Sequence, residues 1–521
     1  MEQSYKKKGV SKGIIAIAIV AVLVIGGSVA AFVISNNASP KQNYFLAEKN
    51  TLDYLEDKMK ERYEPELEWS DQSYENPTEQ TLELSAEYSG PTGSDGYQTV
   101  DPAQFINNSS ISITAQADME SKQLASDISL DFSGMKIDGL SAYVTDEKVM
   151  LGLPFIEEYL QVMDKDLGPL LHELDPMTFT GEETLELDSL FEGNSVISEV
   201  DMEYLKTEYG EMIYKELPDD AFSSSEETID VNGESLNAEK IELHLSEQQV
   251  IDLLTTILEK MESDEKLKDL LKEQLAAGQV GGPALNDEMD LMITEFETGI
   301  KEIKDGIQDF QITDGFLSTI WIYNDMVAQR DLKIELGPNP EELVSFGMTG
   351  SQLLTDTSQT FTYDLDFADP VSSGTMNITG DLSWEDNQAT DSIKLTFGEY
   401  NLSYEGHETL EDGTRDFERV FSYNDSMTGG SLNWDGFSTY NKDQVNSENH
   451  FSVETDDLSN IISLQLLVDG KLIDSVTVPS DDNVRDLGGM SANELMDYFE
   501  LELTPNFQQW LFGLMSGGAG F

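Results

Sequence analysis

After twelve mostly polar residues, the chain turns apolar and uncharged from Gly13 to Ile34. As a helix rising ~1.5 Å per residue, this run spans roughly 33 Å, enough to cross a bilayer core of ~30 Å. The pattern predicts a basic tail over 1–12, a transmembrane helix over 13–34 and a polar tether over 35–44. Lys6, Lys7, Lys8 and Lys12 precede the apolar run, and the next basic residue after it is Lys41. That asymmetry puts the N-terminus in the cytoplasm and the bulk of the chain outside, as a single-pass protein of the cell membrane. The run is too long for the apolar part of a cleaved signal peptide, and no A-x-A site closes it.

Beyond the tether, Leu52, Leu55 and Met59 recur at helical spacing, and Pro65 is expected to end that helix near Tyr63. Residues 66–100 are punctuated by Gly, Ser and Pro around one strand-like run, TLELSAEY. From Ser110 the period becomes two: SISITAQA, ISLDFSG, SAYVTD and KVMLGLP read as an antiparallel meander with one buried face. FIEEYLQVM leans helical.

A hairpin follows, turning at Asn232–Gly233, a pair suited to φ > 0 at both positions. Its inward residues Ile241, Leu243 and Leu245 lead into a helix capped by Ser246 and Gln249, with the stripe Val250, Leu253, Leu254 and Ile257. That stripe is expected to lie against the hairpin face.

From about Gly350 to Ser480, strands alternate along Phe361/Tyr363/Leu365/Phe367, Ile393/Leu395/Phe397, Tyr400/Leu402/Tyr404, Leu432/Trp434 and Ile462/Leu464/Leu466. Ser491 and Glu494 cap a late helix, and Thr504–Pro505 opens one more. The order of elements predicts an α+β protein: an N-terminal transmembrane helix, then curved antiparallel sheets packed with helices, with a β-rich C-terminal half. The expected units are an α+β domain over 45–345 and a β-rich domain with C-terminal helices over 346–521.

Charge sharpens this picture. The 521 residues carry 101 Asp and Glu against 30 Lys and Arg, a formal net charge of −71. The first twelve residues hold four Lys and one Glu, so everything after them carries −74. Such a surface repels nucleic acid and anionic headgroups and attracts cations or basic proteins. With 39% apolar residues, 23 Phe and 19 Tyr, the chain can still build cores. The absence of cysteine excludes disulfides and thiolate chemistry.

Catalytic and metal motifs are scarce. The four histidines (His172, His244, His407 and His450) are dispersed, and HExxH, G-x-S-x-G, Walker A and G-x-G-x-x-G do not occur. Two S-x-x-K matches follow the apolar run, at Ser133–Lys136 and Ser263–Lys266, but no KTG accompanies them, and Ser263 reads better as a helix N-cap. The clusters Asp364/Asp366/Asp369 and Asp481/Asp482/Asn483/Asp486 lack the order of an EF-hand loop. No residue is assigned a catalytic, cofactor-binding or metal-binding role, and no cofactor is expected.

The run ETIDVNGESLNAEKIELHLSEQQVIDLL, with YVTDEKVMLGLPFIEEYL upstream and STIWIYNDMVAQRDLKIEL downstream, resembles uncharacterised single-pass membrane proteins of Bacillus-type bacteria. It is similar, more distantly, to extracytoplasmic lipoproteins of the LolA/LprG kind. The likeness covers roughly residues 110–340 and implies a curved sheet around helices with an apolar groove for a lipid or acylated ligand. The expected function is a non-catalytic, membrane-anchored extracytoplasmic binding or scaffolding protein. Its expected partners are the membrane, through 13–34, and a basic protein or another membrane protein, with no nucleic acid. The alternatives are a cell-envelope hydrolase using paired carboxylates, or an accessory subunit of a membrane complex.

Overall fold

The computed structural model describes residues 39–90, 103, 106–185, 187–191, 199–277, 285–455, 458–480 and 483–517. The expected transmembrane helix over 13–34 and the basic tail lie outside these residues. Helices α1 (Pro40–Arg62) and α2 (Glu64–Glu75) come first. Strands β1 (Thr78–Tyr88), β2 (Ser109–Asp118), β3 (Gln123–Phe132), β4 (Met135–Thr145), β5 (Lys148–Gly152) and β6 (Tyr159–Met163) follow. Helices α3 (Asp164–Leu174), α4 (Glu199–Leu205) and α5 (Glu211–Glu216) lead to the hairpin β7 (Phe222–Val231) and β8 (Glu234–Leu245). Helices α6 (Glu247–Ser263), α7 (Glu265–Ala277) and α8 (Leu285–Gly306) precede β9 (Gln311–Tyr323) and β10 (Met326–Gly337).

The chain then runs through β11 (Val344–Leu354), β12 (Ser358–Ala368), β13 (Ser373–Glu385), β14 (Gln388–Phe397) and β15 (Tyr400–Glu411). It continues with β16 (Thr414–Asn424), β17 (Gly429–Asn441), β18 (Gln444–Thr455) and β19 (Leu458–Leu472). Strand β20 (Val484–Asp486) and helices α9 (Ala492–Tyr498) and α10 (Thr504–Gly517) close it.

All twenty strands belong to one sheet. From β7 to β19 each strand pairs with the next; β19 then pairs with β1, and the series continues through β6 to a parallel pairing with β20. Short turns enforce this meander. Asn232–Gly233, Asn324–Asp325, Asp386–Asn387 and Asp412–Gly413 all have φ between 50° and 84°, the conformation a tight hairpin needs. The side-chain amide of Asn232, at the β7–β8 turn, hydrogen-bonds Thr360 of β12, so the sheet curls back on itself at that end.

This corrects the expected fold class. A single continuous sheet replaces several sheets in an α+β arrangement, and the expected division at 345/346 falls inside β11. The hairpin β9–β10 pairs β8 on one side and β11 on the other, which fuses the two expected halves. Local readings change too. The expected tether becomes helix from Pro40, because Ser39 accepts from the Gln42 amide and Gln42 answers in a capping box. Pro65 opens α2 rather than ending a helix, since the first turn needs no proline N–H. The helical reading of FIEEYLQVM gives way to β6, which pairs with both β5 and β20.

The main core lies where α1, α5 and α6 cover β7–β10. Ile241, Leu243 and Leu245 meet Val250, Leu253, Leu254 and Ile257, all nearly inaccessible. Helix α1 adds Tyr44 and Phe45, and the Tyr44 hydroxyl meets the Ser318 hydroxyl at 2.7 Å. A smaller core joins Leu160, Leu170, Leu487, Leu495 and Tyr498 at the far end of the sheet.

Candidate functional site

Between these two cores, the sheet has two chemically opposite faces. Cross-strand registers align Phe361, Gly380, Ile393, Tyr404, Phe421, Leu432 and Val453 in one row. The neighbouring row carries Tyr363, Ile378, Leu395, Leu402 and Tyr423. On the reverse face the same strands align Thr362, Thr379, Lys394, Ser403, Ser422, Ser431 and Glu454. The alternation along each strand therefore makes an amphipathic sheet, with the five alternating apolar runs noted in the sequence on its apolar face.

Helices α1 and α2 cross that face only along one side. Trp69 of α2 stacks over Gly470, where a Cβ would come within 3.1 Å of its ring. Among the described residues, no element covers the other side. Phe397, Tyr400, Leu402, Phe421, Tyr423, Leu432, Val453, Ile462, Leu464, Leu84, Ile111 and Phe132 share the face and are each 37–50% exposed. They lie on the nine consecutive strands from β14 through β19 and β1 to β3. At ~4.8 Å between strands the stripe is roughly 40 Å long. At ~150–250 Å² per large side chain it leaves on the order of 800 Å² of apolar surface in water, above what a soluble monomer ordinarily exposes. The stripe, walled by α1 and α2 along one side and open on the other, is the trough.

On the same face, next to the stripe, aromatic rings of β12 lie flat on the sheet. A Cβ on Gly380 would lie 2.2 Å from the Phe361 ring, and one on Gly350 would lie 2.2 Å from the Tyr363 ring. The glycines let these rings lie flat against the backbone, which an alanine would prevent.

The covered side is a wall built on buried charge. Arg62, at the end of α1, donates to Asp391 of β14 at 2.7 and 3.2 Å and to Glu408 of β15 at 3.2 Å. Arg415 of β16 donates to Glu408 at 3.1 Å and to the Arg62 carbonyl at 2.6 Å, and also pairs with Glu66 of α2. Arg419 donates twice to the other Glu408 oxygen, at 2.6 and 3.2 Å. Three guanidinium groups thus face three carboxylates. Trp384, Tyr63, Phe417 and Trp434 stack on the guanidinium groups at 4.5–6.0 Å. Burial pushes the Glu408 carboxyl up, but Arg62 and Arg419 outweigh it and hold the group below the usual range. Burial works against the charge of Arg62 as well, yet Asp391 and Glu408 keep it firmly protonated. The cluster is charge-balanced and saturated with partners, so it pins the helices to the sheet.

The residues noted in the sequence do not gather at this site. His172 and His244 bond backbone carbonyls of Phe179 and Asp314, His407 meets Thr390, and His450 lies beside Glu448 and Asp435. Ser263 back-bonds to the Glu259 carbonyl at 2.9 Å, while Asp264 accepts the Leu267 amide; Asp264, not Ser263, caps α7. Ser133 sits in a turn at φ 53°. Asp364 and Asp366 accept from Asn377 and Thr375 on the polar face, and Asp369 accepts two turn amides. Among the described residues, no group of three or more His, Asp or Glu side chains is arranged to hold a metal ion. Asp481 and Asp482 lie outside the described residues.

The expected groove is corrected as well. The space between helix and sheet, lined by Tyr44, Phe45, Leu243, Leu245 and Phe316, has a volume of only ≈20 Å³. That is about one water and far from an acyl chain. Val250, Leu253, Leu254 and Ile257 are filled core, because α6 presses directly on β8 and β9.

No protein family matches the sequence, and no curated protein matches it. Among solved structures, the chain is similar to Pseudomonas aeruginosa OpdQ, at 7% identity and a TM-score of 0.25, covering 76% of this chain and 97% of that one. It is similar to the outer membrane protein opdK of Pseudomonas aeruginosa, at 7% identity and a TM-score of 0.22, over 76% and 98%. A BenF-like porin from Pseudomonas fluorescens gives 7% and 0.22, over 76% and 97%. These proteins are not of the LolA/LprG kind.

The expected function is corrected on the filled groove: an extracytoplasmic binding or scaffolding shell with a half-barrel lipid site is set aside. The expected location, single-pass in the cell membrane, is set aside with it. Among the described residues no helix is long and apolar enough to cross a membrane; the apolar run over 13–34 lies outside them.

Proposed function

We propose that the chain acts in transport, offering apolar, chain-like molecules a passage along the open trough. The observation that supports this reading is the uninterrupted apolar stripe across nine neighbouring strands, from Phe397 to Phe132, beside a reverse face of Ser, Thr, Asn and Asp. A surface of this size needs a partner to leave water. An elongated stripe one or two side chains wide suits an extended chain better than a compact solute. The buried ion cluster keeps one wall in place while the other side stays open for access along the length. The likeness to porins is too loose to add to this reading.

The test is transfer of a pyrene-labelled acyl chain between donor and acceptor vesicles by the full chain. The expected result is transfer faster than the spontaneous rate. Leu402→Asp and Phe421→Asp should each slow it at least ~10-fold, since an unpaired carboxylate facing an apolar cargo costs several kcal/mol. Transfer at the spontaneous rate, or variants as fast as wild type, would remove the reading. A concentration-dependent dimer that hides Leu402 and Phe421 would replace it with self-association.

A further inference from the structure

The C-terminal helix differs from the rest of the molecule. A quarter of all residues are charged, yet the eighteen from Thr504 to Phe521 include none. Apolar residues occupy roughly half of the circumference of α10, from Trp510 through Phe507 and Leu511 to Phe512, and Asn506 and Gln509 lie on the rest. Phe507 and Trp510 contact Phe155, with ring centroids 5.3 and 5.6 Å apart, and Phe507 stays 41% exposed. Phe512 points away from that contact, about 100° per residue further round the helix, and is 74% exposed. Leu501 in the preceding turn is 71% exposed, and Met496 on α9 is half exposed. An apolar arc of this width is normally buried throughout; that of α10 is covered at one edge.

We propose that α10 seats the protein on an electrically neutral lipid surface, with Phe512 and Leu511 entering the interface. Trp and Phe on a short helix suit the boundary between headgroups and acyl chains. The charge pattern selects the kind of surface. Interfacial helices that bind anionic lipid carry Lys or Arg on their polar side, and α10 has neither. Glu500 and Glu502 flank it, and the whole chain carries −71, so an anionic bilayer repels this end. The same charge disfavours a second copy as the occupant.

The position fits the fold. Beside α10 lies an open cleft of ≈610 Å³ lined by Met135, Lys136, Phe155, Gln509, Trp510 and Leu514, so one Lys of the neighbouring strand stands at its edge. Met135 pairs with Phe132, the last exposed residue of the trough, so the helix stands where the trough ends. This location rests on the transport reading; the lipid contact itself does not.

The chain has no cysteine, so Phe512→Cys in the full-length protein takes a single environment-sensitive fluorophore. With phosphatidylcholine vesicles, the label should shift to the blue and be quenched by lipids carrying a quencher near the headgroup. Adding Leu511→Glu should weaken the vesicle titration at least tenfold. Leu511 is 39% exposed, and an unchanged Trp510 share of the emission without vesicles, isolated by subtracting a Trp510→Phe reference from the signal of the five tryptophans, will show that the helix still docks. A label at Ser422→Cys on the polar face should not respond. No shift at 512, a shift that needs anionic lipid, or a shift that grows with protein concentration without vesicles would each overturn the inference. The 512 label reads contact whether or not transfer occurs. A label shift without acyl transfer sinks the transport reading alone, and transfer without the shift sinks this inference alone.

Discussion

Arg62 of α1 and Glu408 of β15, 346 residues apart in the chain, meet through a 3.2 Å hydrogen bond beneath the helix. The Glu408 side chain is fully enclosed and accepts from Arg62, Arg415 and Arg419 together. It is the point where the helical spine is fastened to the middle of the sheet. A lone carboxylate could not be held there in water-free surroundings; three guanidinium donors make its charge the favoured state.

Replacing Glu408 by Ala leaves Arg62, Arg415 and Arg419 short of a shared acceptor. The expected loss is ~3–5 kcal/mol, typical when one partner of a buried ion pair is removed. Urea unfolding of wild type and Glu408→Ala measures it. A change below ~1 kcal/mol would mean that the cluster does not fasten the spine.

The same group sets a pH dependence with a definite sign. Glu408 lies below its ordinary value of 4.5 in the folded protein, with burial opposing the shift and Arg62 leading the attraction. Its contribution is therefore complete above about pH 4.5 and fades as pH falls through the lower folded value. The gap in urea midpoint between wild type and Glu408→Gln should be equal at pH 7 and pH 5 and narrower at pH 3. A gap that widens on acidification would contradict the assignment.

The strand alternation was readable because period-two patterning survives whatever the sheet packs against. Phe361/Tyr363/Leu365 and Tyr400/Leu402/Tyr404 stand on the face they were expected to share, and the Asn232–Gly233 turn and the Ser246 and Ser491 caps are in place. What α1 buries was not readable. Leu52, Leu55 and Met59 suggested its inner side, but Leu52 and Met59 are exposed, while Lys41, Glu48 and Arg62 are buried. Those charges point inward because distant partners await them: Asp219 for Lys41, Arg330 for Glu48, Asp391 and Glu408 for Arg62. Hydropathy at one position carries no record of a partner hundreds of residues away. The long-range pairing was not readable for a related reason: nothing local tells β1 that it will pair with β19 as well as β2.

Two glycines separate space from conformation. Gly380→Ala would drive a Cβ to 2.2 Å from the Phe361 ring, so the ring must lift off the sheet. The expected loss is ~1–3 kcal/mol, as for other overpacked sites. Gly299 in α8 has nothing within 4 Å of an added Cβ, and Gly299→Ala should stabilise by ~0.5–1 kcal/mol through helix propensity. Thermal melts of both variants check the contrast in sign.

Stability also distinguishes the trough from the core, because the two hold similar residues in opposite surroundings. Leu254 is 2% exposed among the hairpin and helix side chains of the main core. Leu254→Ala removes buried methyl groups and leaves a cavity, for an expected loss of ~2–5 kcal/mol. Leu402 is 47% exposed on the trough, with Leu395 and Tyr423 as its cross-strand neighbours. Leu402→Asp gives up only partial contacts, and the new carboxylate keeps access to water, so a loss near or below ~1 kcal/mol is expected. Urea unfolding of both variants, read at equal salt, decides the matter. If Leu402→Asp unfolds the protein as readily as Leu254→Ala, that surface is covered in solution and the trough is closed. If it leaves the midpoint almost unmoved, the apolar stripe is kept for something other than holding the sheet together.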